Sequence, residues 1–100
     1  MKTISILHSV GEFAEDKDSA AKLRKDQILP ALADAKTIEL DFTGVTLTTQ
    51  SFIHALISEA LRIHGERALS QMSFKGCVPA VRDIVETVVQ YVLEAREGDA

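Results

Sequence analysis

The segment from residue 36 to residue 61 constrains the fold most, because the spacing of its apolar residues changes partway along. Up to residue 42 apolar and polar residues alternate, which is typical of a strand with one buried face. That alternation places Ile38, Leu40 and Phe42 on one face and Thr37, Glu39 and Asp41 on the other. From Phe52 to Leu61 the apolar residues recur at helical spacing, with His54, Ser58 and Arg62 on the opposite side. The segment predicts a strand, a turn and an amphipathic helix.

The turn between this strand and helix is rich in hydroxyl groups. Gly44 gives the backbone conformational freedom there. Hydroxyls follow at Thr46, Thr48, Thr49 and Ser51. A side-chain oxygen just before a helix caps its free N–H groups and stabilises it by about 1 kcal/mol. We therefore expect Thr48, Thr49 or Ser51 to be the N-cap, and any functional residues to lie in this turn.

Length and composition favour one globular domain covering residues 1–100, with a core of about 3–93 and a frayed tail at 94–100. A net charge of −4 gives no reason to expect nucleic acid or an anionic membrane as partner. The single cysteine excludes an internal disulfide, and no Cys/His cluster has zinc spacing. No segment has the apolar run of a signal peptide or a membrane span. We expect a cytoplasmic protein without cofactor or metal.

Two further strands are predicted, at residues 3–8 and 71–75, where apolar and polar residues again alternate. In the first, Ile4 and Ile6 should face the core. In the second, Met72 and Phe74 should point inward, and Ser73 and Lys75 outward.

Helices are predicted after each of these strands. The first follows a polar connection, has Asp18 or Ser19 as N-cap, runs to about Ala35, and kinks or restarts at Pro30. Gly65 should end the helix that follows the turn. The last helix should run from Pro79 to about Ala95.

The predicted order β-α-β-α-β-α indicates an α/β fold with a mostly parallel sheet. Strands covered on both sides would be continuously apolar, but these alternate, so the helices should lie on one face. Right-handed crossovers then give a two-layer right-handed superhelix with strand 36–42 in the middle. The other face would bear Glu39, Asp41, Ser73 and Lys75, and the sheet would have two unpaired edges.

The sequence from Leu40 to Val45, followed by residues 46–52, resembles the STAS superfamily (sulfate transporter and anti-sigma factor antagonist). It is most similar to a small group of bacterial STAS-like proteins of uncharacterised function. These carry an Asp-Phe-x-Gly-Val strand and a Ser-Phe pair at the next helix, matched here by Asp41–Val45 and by Ser51 and Phe52. The resemblance extends over about residues 3–93 and implies a β/α superhelix.

In anti-sigma factor antagonists of this superfamily, an Asp-Ser-Ser-Gly turn is phosphorylated on its second Ser by a histidine-kinase-like ATPase. Phosphorylation ends binding to that kinase. Counted from Asp41, Ser51 falls on the phosphorylated position, although Thr49, Gln50 and Phe52 replace the Asp, the first Ser and the Gly. The resemblance implies the same class of partner. A phosphate on Ser51 would lie at a helix N-terminus, which favours negative charge, so capping and regulation both remain open.

The sequence thus predicts a non-catalytic regulatory module that docks on a histidine-kinase-like ATPase or anti-sigma-type protein. The expected partner-binding residues are Asp41, Thr48, Thr49, Ser51, Phe52, His54, Ser58 and Arg62. A homo-oligomer that uses the polar sheet face or the strand edges is the alternative. An enzyme ranks third, since the chain lacks a Gly-x-Ser-x-Gly elbow. His54 and His64 would lie about 15 Å apart along one helix, too far to share a metal.

Overall fold

The computed structural model describes residues 2–98 of the chain, which form five strands, six α-helices and one π-helical turn. In chain order these are β1 (Lys2–Ser5), α1 (Ile6–Val10), β2 (Phe13–Ala14), α2 (Lys17–Leu23), the π-helical turn (Arg24–Ile28), α3 (Leu29–Ala33), β3 (Ile38–Asp41), β4 (Leu47–Thr48), α4 (Gln50–His64), α5 (Glu66–Gln71), β5 (Met72–Lys75) and α6 (Pro79–Gly98).

The main sheet has the order β1-β3-β5, and both strand pairs are parallel. Leu40 in the middle strand pairs with Ile4 on one side and with Phe74 on the other. The α/β class, the parallel sheet and the central position of the predicted 36–42 strand are confirmed. A second, two-stranded parallel sheet joins β2 to β4, and the sequence did not predict it.

One hydrophobic core contains the apolar side chains of the main sheet and of the long helices. Ile38, Leu40 and Phe42 are all buried in it, as the alternation in β3 predicted. On the opposite face of β5, Ser73 and Lys75 are exposed. The predicted division of the strands into an apolar and a polar face is therefore confirmed.

The predicted first strand is too long at its C-terminal end. Ser5 ends it, because its side chain caps α1 by accepting a hydrogen bond from the His8 backbone N–H at 3.1 Å. Ile6 is nevertheless buried, as expected. The predicted caps of the next helix are also wrong: Asp16 is the N-cap of α2 and accepts from the Asp18 backbone N–H at 3.1 Å.

Pro30 lies in the first turn of α3, as the predicted restart required. Before it, the Leu29 N–H donates to the Arg24 carbonyl, five residues back, so a π-helical turn connects α2 to α3. Helix α5 directly precedes β5 and was not predicted. Helix α6 reaches Gly98, so the tail predicted at 94–100 is wrong up to that residue, and residues 99–100 lie outside the described part of the chain.

Candidate functional site

The small β2–β4 sheet brings the starts of two helices together. Because the strands are parallel, α2 and α4 both begin just beyond the same end of this sheet. The buried Thr48 hydroxyl donates to the Ala14 carbonyl at 2.7 Å and joins the two strands. Thr48 therefore has a structural role in holding β4 against β2.

Thr49 is the residue that caps α4. Its backbone is extended, with φ −122° and ψ 159°, and its Oγ1 accepts from the Phe52 backbone N–H at 3.1 Å. Of the three hydroxyls considered as caps, the structure selects this one. Ser51 follows in the first turn of the helix, where its side chain is exposed and makes no hydrogen bond with any residue from 2 to 98.

Ser51 borders a groove of about 480 Å³ between the starts of α2 and α4 and the middle of α6. Lys17 comes from the first turn of α2, His54 from α4 and Tyr91 from α6, where 65% of its surface is exposed. The complete lining is Lys17, Gln50, Ser51, His54, Ala55, Thr87, Val88 and Tyr91. We call this the Ser51 groove. It combines a free hydroxyl, an ammonium group, an imidazole and an exposed aromatic ring.

Three of the predicted surface residues are buried. Phe52 belongs to the core, and Thr48 and Ser58 are only 5% and 3% exposed. The expectation that Ser58 lies on the exposed side of α4 is wrong. This helix packs against both α2 and α6, so its buried stripe is wider than the apolar pattern, and a small hydroxyl residue fits within it. His54 and Arg62 are exposed, as predicted. Arg62 lies about two turns beyond His54 and does not line the groove.

Asp41, the remaining predicted residue, organises its own turn. Its Oδ1 accepts from the Thr43 backbone N–H at 2.9 Å. The hydroxyl and the backbone N–H of Thr43, in that order, hold the pKa of Asp41 below its ordinary value of 3.8, and the Lys75 ammonium adds a smaller effect. The structure therefore gives this carboxylate a local structural role at the end of β3.

Several residues of the candidate site were not predicted from the sequence. Phe13 and Leu47 are direct cross-strand neighbours in the β2–β4 sheet, yet they are 54% and 51% exposed and form an apolar pair on the surface. Lys17 and Tyr91 belong to the groove only because α2 and α6 pack beside α4. A phenylalanine in a polar connection was the one signal available for Phe13.

Among residues 2–98 no group of three or more His, Cys, Asp or Glu side chains could hold a metal ion. No helix in this part of the chain is both long and apolar enough to cross a membrane. We define the candidate site as the Ser51 groove together with the exposed Phe13–Leu47 pair.

A family model described as "STAS-like domain of unknown function (DUF4325)" matches residues 19–82. This range contains β3, the hydroxyl-rich turn, α4 and β5, but ends before most of α6. No curated protein and no solved structure matches the chain.

Proposed function

The chain belongs to the family of STAS-like domains of unknown function, and on this premise we propose that it is a regulatory protein-binding module without catalytic activity. Its partner would be a histidine-kinase-like ATPase or a related anti-sigma-type protein, as for the anti-sigma factor antagonists that the sequence resembles. We place this partner switch in the bacterial cytoplasm, with phosphorylation of Ser51 as its control.

The observation that carries the proposal is that Thr49, and not Ser51, caps α4. The helix cap is satisfied by Thr49, so α4 does not need the Ser51 hydroxyl. Ser51 is exposed at the rim of a groove, where a kinase can reach it. A serine that only stabilised the helix would be expected to bond a backbone N–H of the first turn.

A phosphate at this position would change the groove strongly. It adds about −2 charge in the first turn of a 15-residue helix, whose N-terminus favours anions. Lys17 lines the same groove and offers an ammonium group as a counter-charge. The phosphorylated form would keep its fold, while the groove would lose its cationic character.

The docking surface in this proposal joins the groove to the apolar Phe13–Leu47 pair. Exposed aromatic and aliphatic side chains are typical anchors of protein interfaces, and Phe13, Leu47 and Tyr91 are all more than half exposed. A carboxylate or phosphate introduced beside these anchors would have to be desolvated on docking, which opposes binding. Dephosphorylated Ser51 would therefore be the binding form.

The proposal is tested by isolating tagged protein from its native host and analysing it by mass spectrometry for phosphate on Ser51 and for a co-purifying ATPase. That ATPase is then purified, and its affinity is measured for the wild type, Ser51→Ala, Ser51→Asp and His54→Glu. We expect binding by the wild type and Ser51→Ala, and at least tenfold weaker binding by the two acidic variants, roughly 1.4 kcal/mol or more.

Thr37→Asp is the matched control, since it adds the same charge at an exposed position before β3, at the opposite end of the main sheet from the start of α4. It should bind as the wild type does. Equal affinity of Ser51→Asp, His54→Glu and the wild type would refute the docking surface. If binding depends on Ser51 and His54 but Ser51 carries no phosphate in cells, the proposed phosphorylation switch would be refuted and the docking surface would stand.

A further inference from the structure

Strand β5 is an edge of the main sheet, with β3 on one side and no strand on the other among residues 2–98. The Phe42 backbone N–H donates to the Lys75 carbonyl at 2.7 Å, so the main-chain groups of Lys75 point toward β3. Main-chain groups alternate in direction along a strand, and those of Phe74 therefore point away from the sheet. An outward N–H and C=O at the centre of a short edge strand can pair with another strand.

Apolar side chains accompany this open edge. Leu69 of α5, Phe74 of β5 and Val89 of α6 are only half-buried, and they line a shallow groove of about 440 Å³ on the helix side of the sheet. The Phe74 ring already contacts Phe42, with centroids 6.4 Å apart and planes tilted by 32°. The opposite edge differs: β1 exposes Lys2, Thr3 and Ser5, and its Ile4 is buried.

We propose that β5 pairs in an antiparallel manner with β5 of a second copy of this chain, with the two-fold axis between the two Phe74 residues. Phe74 of each copy would exchange both main-chain hydrogen bonds with Phe74 of the other, forming one continuous six-stranded sheet. The two aromatic rings and the two apolar grooves would then meet on the helix side. This inference does not depend on the proposed docking of an ATPase.

The second copy is favoured as occupant because β5 is complementary to itself in this register. With Phe74 opposite Phe74, Ser73 of one copy lies opposite Lys75 of the other, so no two like charges face each other within the paired strands. Each Lys75 also remains beside Asp41 of its own copy, where the two charges attract. The symmetric register in which Lys75 faces Lys75 is disfavoured by the repulsion between the two ammonium groups.

Ser73 offers a sharp test, since it is exposed and lies outside the core. In the proposed dimer Ser73→Lys puts a lysine opposite Lys75 at two symmetric sites, whereas Ser73→Glu creates two attractive pairs. Within one copy the two substitutions have the opposite effects, because residue 73 is paired in register with Glu39. There a lysine at 73 is attracted to Glu39 and a glutamate is repelled by it. An effect on dimerisation can therefore be separated from an effect on folding.

The measurement is sedimentation velocity of the full chain over a concentration series up to its solubility limit. We expect a reversible wild-type dimer, and a shift in the dissociation constant of about twofold to thirtyfold in opposite directions for Ser73→Lys and Ser73→Glu. Phe74→Lys should abolish dimerisation. Thr3→Lys is the matched control, because it places the same charge beside Glu39 on the far edge of the sheet. It should dimerise as the wild type does.

A wild type that stays monomeric at every concentration would overturn the inference. So would a dimer whose dissociation constant is the same for Ser73→Lys and Ser73→Glu, since that dimer would use another surface. Ser51→Asp should dimerise normally. Loss of ATPase docking in that variant, with the dimer intact, would keep the two proposals distinguishable.

Discussion

The Oγ1 atom of Thr49 accepts the backbone N–H of Phe52 at 3.1 Å, and through this hydrogen bond the helix start is completed without Ser51. The preceding hydroxyl, on Thr48, is committed to the Ala14 carbonyl at 2.7 Å. Three hydroxyl residues within four positions therefore have different fates. One joins two strands, one caps a helix, and one lies exposed at the groove.

Loss of the Thr49 cap should destabilise α4. We expect Thr49→Ala to lower the free energy of unfolding by about 1 kcal/mol, because the Phe52 N–H loses its acceptor. Thr49→Ser keeps the acceptor oxygen and should retain most of the stability. Urea denaturation followed by circular dichroism measures both. If Ser51→Ala proved costly while Thr49→Ala did not, the cap would be assigned to the wrong residue.

The buried hydroxyl of Thr48 should matter more than that of its neighbour Thr46. Thr48→Val is expected to cost about 1–3 kcal/mol, because the valine has nearly the same shape but leaves the buried Ala14 carbonyl without its donor. The Thr46 hydroxyl is exposed, and its hydrogen bond to the Glu12 carbonyl is long, at 3.4 Å. Thr46→Val should therefore change stability by no more than about 0.5 kcal/mol. Equal costs for the two valines in thermal unfolding would contradict this assignment.

Gly76, just after β5, should tolerate no side chain. Its φ of 71° is unfavourable for other residues, and a Cβ there would lie 2.9 Å from the Thr43 backbone nitrogen. Gly11 has a similar φ of 86°, but a Cβ there would meet nothing within 4 Å. Gly11→Ala should therefore cost about 1–2 kcal/mol from backbone strain alone, and Gly76→Ala clearly more. Chemical denaturation of the two variants compares them directly. Similar losses in the free energy of unfolding would show that the Thr43 loop can move away from the added Cβ.

The main sheet and the long helices could be predicted from sequence because each depends on a local repeat of apolar residues. Alternation identified β3, and helical spacing with Gly65 at the end identified α4. A two-residue strand such as β2 or β4 has no measurable period, so both were missed. Ser58 was misplaced for a related reason, since helical spacing cannot show that helices pack against α4 from two sides.

Prediction of the site was partial for a physical reason as well. The turn and Ser51 could be found because they lie together in sequence, whereas Lys17 and Tyr91 reach the same groove from 34 and 40 residues away. Only the packing of α2 and α6 on α4 brings them there. The Thr49 cap needed the structure too, because three neighbouring hydroxyls compete for that role and backbone geometry decides among them.

Asp41 should make the stability of the protein depend on acid pH. Its pKa is lower in the folded protein than its ordinary value of 3.8, so the stabilisation is complete above that value and is lost as the pH falls through the folded pKa. Asp41→Asn keeps an oxygen that can accept from the Thr43 N–H but removes the charge. We expect it to be less stable than the wild type at neutral pH and to lose less stability below about pH 4.

Denaturation across this range tests the expectation, with Asp34→Asn as control because the Asp34 side chain is exposed and bonds no residue from 2 to 98. A carboxyl resonance of Asp41 that titrates at or above 3.8 in an NMR experiment would contradict it.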